Sequence, residues 1–183
     1  MKSKYKLLPS FYYNSVFSIP YDEFKKKNIK ALFFDLDNTL LNSEEKQLND
    51  KTKHFLKKLS SDFEIVIISN ASLKKIKKNI FFEQLKYIYL NLFQKKPSAW
   101  GLKKALKLLN INSDEAIMIG DQLRTDIASA NKSDIISVLV KPLNRQNESF
   151  ITKLFRYFTE NKFINKIKKI DHKEYNSKFK NFL

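Results

Sequence analysis

Cysteine is absent from this 183-residue chain, glycine occurs twice, proline four times and tryptophan once. Without cysteine there are no disulfides and no thiolate metal sites, which fits a reducing cytoplasm. No apolar run reaches the roughly 18–20 residues of a membrane span. The N-terminus also lacks the apolar stretch and small-residue cleavage site of a signal peptide, so a soluble or peripheral protein is expected. Arginine is scarce too: only Arg124, Arg145 and Arg156 stand among 35 basic residues, the rest being lysine. Acidic residues number 19, leaving a net charge of +16. Such a charge invites nucleic acid, an anionic membrane face or a phosphorylated substrate as partner. Lysine, asparagine, isoleucine and phenylalanine are abundant throughout, as an AT-rich coding sequence would make them, so composition alone also accounts for the charge.

What is present is a globular core. Hydrophobic residues make up 43% of the chain, enough for one compact domain with modest appendages. Short apolar runs predict strands at 30–34, 63–68, 87–90, 115–119 and 135–140. Helical spacing predicts helices at 50–59, 71–80, 97–110 and about 125–130, with Pro97 opening the third. In that third helix Trp100, Ala105, Leu106, Leu108 and Leu109 are expected to face inward. Strands that read as runs, alternating with helices, indicate an α/β fold: a Rossmann-like parallel sheet with helices on both faces. Both ends fall outside this alternation, giving three regions: an aromatic-rich extension at 1–25, a catalytic domain at 26–145 and a basic amphipathic helical extension at 146–183. Packing onto the domain or contact with a surface would both suit that last region.

Polar signals cluster where the predicted strands end, the edge at which open parallel sheets bind ligands. After the first strand comes Asp35-Leu36-Asp37-Asn38-Thr39. As the chain curls there, both carboxylates can turn toward one pocket, one to attack phosphorus and the other to donate a proton; a solvated capping turn is the plainer alternative. Ser69-Asn70 follows the second strand, where a hydroxyl and free N–H groups at a helix start suit phosphate. Lys96-Pro97 opens the third helix. Gly120-Asp121-Gln122-Leu123-Arg124-Thr125-Asp126 follows the fourth strand, and a glycine retained in so glycine-poor a chain indicates a close approach or a positive φ. Asp121 would supply a hard oxygen ligand for Mg²⁺, with Asp126 orienting waters or Lys96.

In this order, these four elements resemble the haloacid dehalogenase (HAD) phosphatase superfamily over about residues 29–141. More closely they resemble the YqeG branch of HAD subclass IIIA, related to phosphatidylglycerophosphate phosphatases; the likeness extends outward to Leu8-Pro9 and to Thr152-Lys153-Leu154-Phe155-Arg156. Asn42-Ser43-Glu44 keeps the expected spacing but no specific residues. The resemblance implies that Asp35 is the nucleophile, forming an aspartyl-phosphate. Asp37 would protonate the leaving oxygen and offer its backbone carbonyl to Mg²⁺, Asp121 would ligate the metal, Ser69 would hold a phosphoryl oxygen and Lys96 would neutralise charge. Thr39, Asn70, Gln122 and Asp126 would support them. The gaps at 41–64 and 71–95 are too short for a cap domain, so the pocket is expected to be open. That suits a phosphate on something large, such as a phospholipid headgroup, with peripheral contact at the inner membrane face. A phosphatase for small esters or phosphoproteins is the alternative enzyme reading. A basic RNA- or ribosome-associated protein with a vestigial site is the alternative of another class.

Overall fold

In the computed structural model, residues 5–42, 44–80 and 85–182 are described; Ser43, in the unspecific stretch after the first motif, lies outside them. Six strands form one parallel sheet in the order β1-β6-β5-β2-β3-β4. They are β1 (Phe11–Tyr13), β2 (Ala31–Phe34), β3 (Glu64–Ile68), β4 (Lys86–Ile88), β5 (Ala116–Gly120) and β6 (Ile136–Val140). The helices are α1 (Tyr21–Lys26), α2 (Asp50–Leu59), α3 (Leu73–Ile80), α4 (Trp100–Leu109), α5 (Ala128–Lys132), α6 (Phe150–Phe155), α7 (Lys162–Ile170) and α8 (His172–Lys178).

Side-chain parity along the strands divides the core. Leu32 and Phe34, Ile65 and Ile67, and Ile117 and Ile119 face one way, against Phe24 of α1, Leu56 and Leu59 of α2 and Ile76 of α3. Ala31 and Phe33, Val66 and Ile68, and Ala116 and Met118 face the other way, against Leu102 and Ala105 of α4 and Ala130 of α5. Both faces of the central strands are therefore covered, which is why they read as runs rather than alternations. This is the expected Rossmann-like α/β arrangement.

The N-terminal segment, expected to lie outside the alternation, contributes β1 at the sheet edge, with Phe11 opposite Val138 and Tyr13 opposite Val140. Its aromatic residues hid a strand only three residues long. At the other end, α7 and the segment after α8 place Ile164, Ile167, Phe179 and Phe182 against Leu139 of β6, together with Leu123 and Ile127. Within α4 two inward expectations fail. Trp100 and Leu108 are exposed, because Leu102 and Ala105 define the face that meets the sheet and the other two fall off that stripe.

The scarcity of glycine is resolved by asparagine and aspartate. Among the described residues Asn28, Asn38, Asn110 and Asp134 take the left-handed conformation, which short polar side chains tolerate best. Asn110 does so as the C-cap of α4. The two glycines are kept for proximity instead: a Cβ on Gly101 would lie 2.6 Å from Leu90 Cδ2, so its absence lets α4 approach the sheet. Among the described residues no helix is long and apolar enough to cross a membrane.

Candidate active site

Asp35 is the first residue past β2, and its N–H donates to the Ile119 carbonyl at 2.9 Å, continuing the ladder to β5 by one residue. Register then brings Asp35 beside the end of β5, where Asp121 follows Gly120; Phe34 stands opposite Ile119. On the other side Phe34 pairs with Ile67, so Ser69 leaves β3 nearly level with Asp35. One carboxylate oxygen each from Asp35, Asp121 and Asp126 lies within 4.8 Å of the others, and all three side chains are buried.

Lys96 bridges two of these carboxylates. Its buried Nζ lies 2.6 Å from Asp35 Oδ1 and 2.6 Å from Asp126 Oδ1. Lys96 was expected to open a helix, yet α4 begins only at Trp100. The Asn70 side chain accounts for the difference: its Oδ1 accepts the Lys96 N–H at 2.8 Å and its Nδ2 donates to the Lys96 carbonyl at 2.9 Å. Both backbone groups are thereby engaged outside a helix, and the lysine is fixed between the two carboxylates. The Ser69 Oγ is buried at the same edge and accepts the Ala71 N–H at 3.2 Å.

Gly120 shows why glycine stands there. A Cβ at this position would lie 2.3 Å from Asp126 Cγ and 2.4 Å from Asp126 Oδ2. The cause is close approach and not backbone sign, since neither glycine has positive φ. Asp126 folds back over Gly120 because a helical turn at Leu123–Ile127 directs it there, and the Gln122 N–H donates to its Oδ2 at 3.0 Å. Gln122 also accepts from the Thr125 hydroxyl at 3.4 Å.

A residue group that sequence reasoning missed completes the site. Arg156, in the helical turn Arg156–Asn161, sends Nη2 to Asp121 Oδ2 and donates from Nη1 to the Asp121 carbonyl at 3.0 Å. Its remaining capacity goes to Glu148, from Nε at 2.9 Å, and to Glu160, from Nη1 at 3.0 Å. Glu160 in turn accepts the Arg124 N–H at 3.1 Å, and Glu148 accepts from Asn38 Nδ2 at 3.4 Å. A planar fork with five donors suits this site as no lysine would. The available signal was that Arg156 is one of three arginines in a lysine-dominated chain.

Electrostatics follow from burial. Loss of water pushes the Asp35 carboxyl up to about 7, with Lys96 opposing and Asp126 and Asp37 reinforcing. Asp121 is raised well above the carboxylate range, again by burial, against the pull of Arg156. Burial pulls the Lys96 ammonium down, but Asp126 and Asp35 outweigh it and leave it raised. A hard, small cation fits such a set: Asp35 and Asp121 offer oxygen donors already gathered, and neutralising them would relieve their mutual repulsion.

Not every expected residue joins the trio. The curl after β2 is present, with Leu41 N–H donating to the Leu36 carbonyl at 2.9 Å and Asn38 left-handed. It turns the Asp37 side chain outward, half-exposed, to Lys75 Nζ at 2.5 Å. The third carboxylate gathered with Asp35 and Asp121 is that of Asp126. Thr39 donates to Asp121 Oδ1 at 3.4 Å.

The doubly covered parallel sheet that carries these acids at its carboxyl edge has the fold of solved HAD-type hydrolases. A haloacid dehalogenase-like hydrolase from Xanthomonas campestris matches with TM-score 0.51 and 11% identity, over 67% of this chain and 84% of its own. A HAD family enzyme from Bacteroides thetaiotaomicron, solved as a magnesium complex, matches with TM-score 0.51 and 16% identity, over 71% of this chain and all of its own. The model of a narrower family, mitochondrial PGP phosphatase, matches residues 1–143, and the chain belongs to that family. It is thus a HAD-type phosphatase. Among curated relatives, the probable phosphatase YqeG of Bacillus subtilis is 26% identical, over 90% of this chain and 94% of its own length. Phosphatidylglycerophosphate phosphatase 1, chloroplastic/mitochondrial, of Arabidopsis thaliana is 25% identical over 85% of this chain, which spans 47% of that protein.

Proposed function

We propose that this phosphatase hydrolyses a phosphomonoester carried on a membrane phospholipid, phosphatidylglycerophosphate or a close relative, through an aspartyl-phosphate on Asp35, and that it sits in the YqeG branch of subclass IIIA. The observation that carries the chemistry is Lys96, buried between Asp35 and Asp126 at 2.6 Å from each. It takes one oxygen of Asp35 and leaves the other to attack phosphorus. The new Oδ–P bond forms as the P–O ester bond breaks, and the leaving oxygen takes a proton from Asp37 at the pocket mouth. Water, losing its proton to Asp37, then attacks the same phosphorus and releases phosphate, which restores Asp35. Asp35 and Asp121 would hold Mg²⁺, which when bound supplies positive charge to the phosphoryl oxygens. Asn70 keeps Lys96 in place, and Ser69 stands level with Asp35 to receive a phosphoryl oxygen.

The named activity of the Arabidopsis relative and the description of the family support the lipid substrate. So does the absence of an inserted cap: the described residues between β2 and β3 hold only α2 as a regular element, so no domain stands over that edge to exclude a headgroup. A phosphate-release panel tests this reading. Phosphatidylglycerophosphate in mixed micelles should be turned over in Mg²⁺ and not after chelation. Brisk turnover of soluble sugar phosphates or phosphopeptides with none of the lipid would overturn it.

A further inference from the structure

The helical segment that sends Arg156 into the site presents a different face outward. Phe150, Ile151, Leu154, Phe155, Tyr157 and Phe158 are all exposed, Phe150 by 77% and Ile151 by 65%. A contiguous apolar face of this kind on one element marks a contact surface. Between residues 146 and 170 the only acids, Glu148 and Glu160, are buried, both against Arg156. Every exposed charge there is a lysine: Lys153, Lys162, Lys166, Lys168 and Lys169. Across the sheet, the loop after β4 exposes Leu92 by 76% and Phe93 by 91%. Strand order places β2 and β5, with their carboxylates, between β4 on one side and β6, which leads to α6, on the other. The pocket therefore lies between two apolar prominences, and its Arg156 ties it to one of them.

Charge selects the occupant. A second copy would bring lysines against lysines and +16 against +16. Nucleic acid matches the charge but gives Ile151 and Leu154 nothing apolar to enter. An anionic bilayer satisfies both, since headgroups attract lysine while aromatic and aliphatic tips enter the acyl boundary. We propose that α6 and the turn Arg156–Asn161, together with the Leu92–Phe93 loop, seat the protein on an anionic lipid surface with the carboxylate pocket turned toward the headgroups. This deepens the lipid-phosphatase reading and rests on it for the identity of the substrate.

The test uses the full chain and binding alone. Wild type and Asp35→Asn are floated with phosphatidylcholine vesicles, with and without a quarter of phosphatidylglycerol, in about 0.1 M salt. Both should partition onto the anionic vesicles and remain largely free with the neutral ones. Phe150→Ser combined with Ile151→Ser should lower the partition at least about tenfold. That variant should release phosphate from a soluble ester at the wild-type rate, which shows it folded. Equal partition on both vesicles, wild-type binding by the double variant, or a variant that alters only self-association in the ultracentrifuge would overturn the proposal. Retained vesicle binding without hydrolysis of any lipid would refute the substrate reading and leave the surface standing. Hydrolysis in micelles without vesicle binding would do the reverse.

Discussion

Replacing Gly120 by alanine puts a methyl group where the Asp126 carboxyl already sits, 2.3 Å from its Cγ. Asp126 has little room to retreat, since Lys96 and the Gln122 N–H hold its two oxygens. Overpacking of a buried site typically costs about 1–3 kcal/mol. Displacing one partner of a buried ion pair costs about 3–5 kcal/mol when it is lost outright. Lys96 keeps Asp35, so only part of the second cost applies, and Gly120→Ala should destabilise by about 3–4 kcal/mol. For a chain of this size that lowers Tm by roughly 6–16 °C in a calorimetric scan. If the methyl–carboxyl clash is the cause, combining it with Asp126→Ala should cost at least about 1 kcal/mol less than the two single changes together. Strict additivity, or a Gly120→Ala protein within about 0.5 kcal/mol of wild type, would refute the reasoning.

Asp35→Asn should reduce phosphate release by at least about a thousandfold while leaving Tm unchanged or higher, because it removes a carboxylate that burial disfavours. Metal-free wild type should also lose stability as pH rises from about 4 to about 7, since the native carboxyl binds its proton more tightly than the unfolded one; this slope should weaken in Asp35→Asn on denaturant titration across pH. Arg156→Met leaves buried Asp121, Glu148 and Glu160 without their shared cation, for a loss of about 3–5 kcal/mol, and Mg²⁺ should then raise its Tm by more than it raises that of wild type. Asn70→Ala removes both hydrogen bonds that fix the Lys96 backbone, and should cost about 1–3 kcal/mol and lower kcat more than it alters KM.

The central strands were legible in the sequence because burial on both faces makes them apolar runs, and each polar element was legible because it interrupts one. Edge strand β1 was not, since three aromatic residues at a sheet margin carry no run. Asp35 and Asp121 stood where strand ends put them, whereas Lys96 lies ahead of the helix it was expected to open, held there by Asn70. The partner of Asp121 was not legible, because Arg156 arrives from a helical segment 35 residues further on, and no local pattern encodes which side chain will enter a distant pocket. Asp37 carried a different difficulty: its position two residues past Asp35 fixes it near the pocket, but the left-handed Asn38 sets where its side chain turns, toward Lys75.

Rapid acid quench of the enzyme during turnover of a labelled phosphomonoester, followed by peptide mapping, tests the central claim most directly. Label should appear as a base-labile acyl phosphate on the peptide carrying Asp35, and be absent from Asp35→Asn. Turnover with no labelled enzyme at any quench time, or label on another residue, would contradict it.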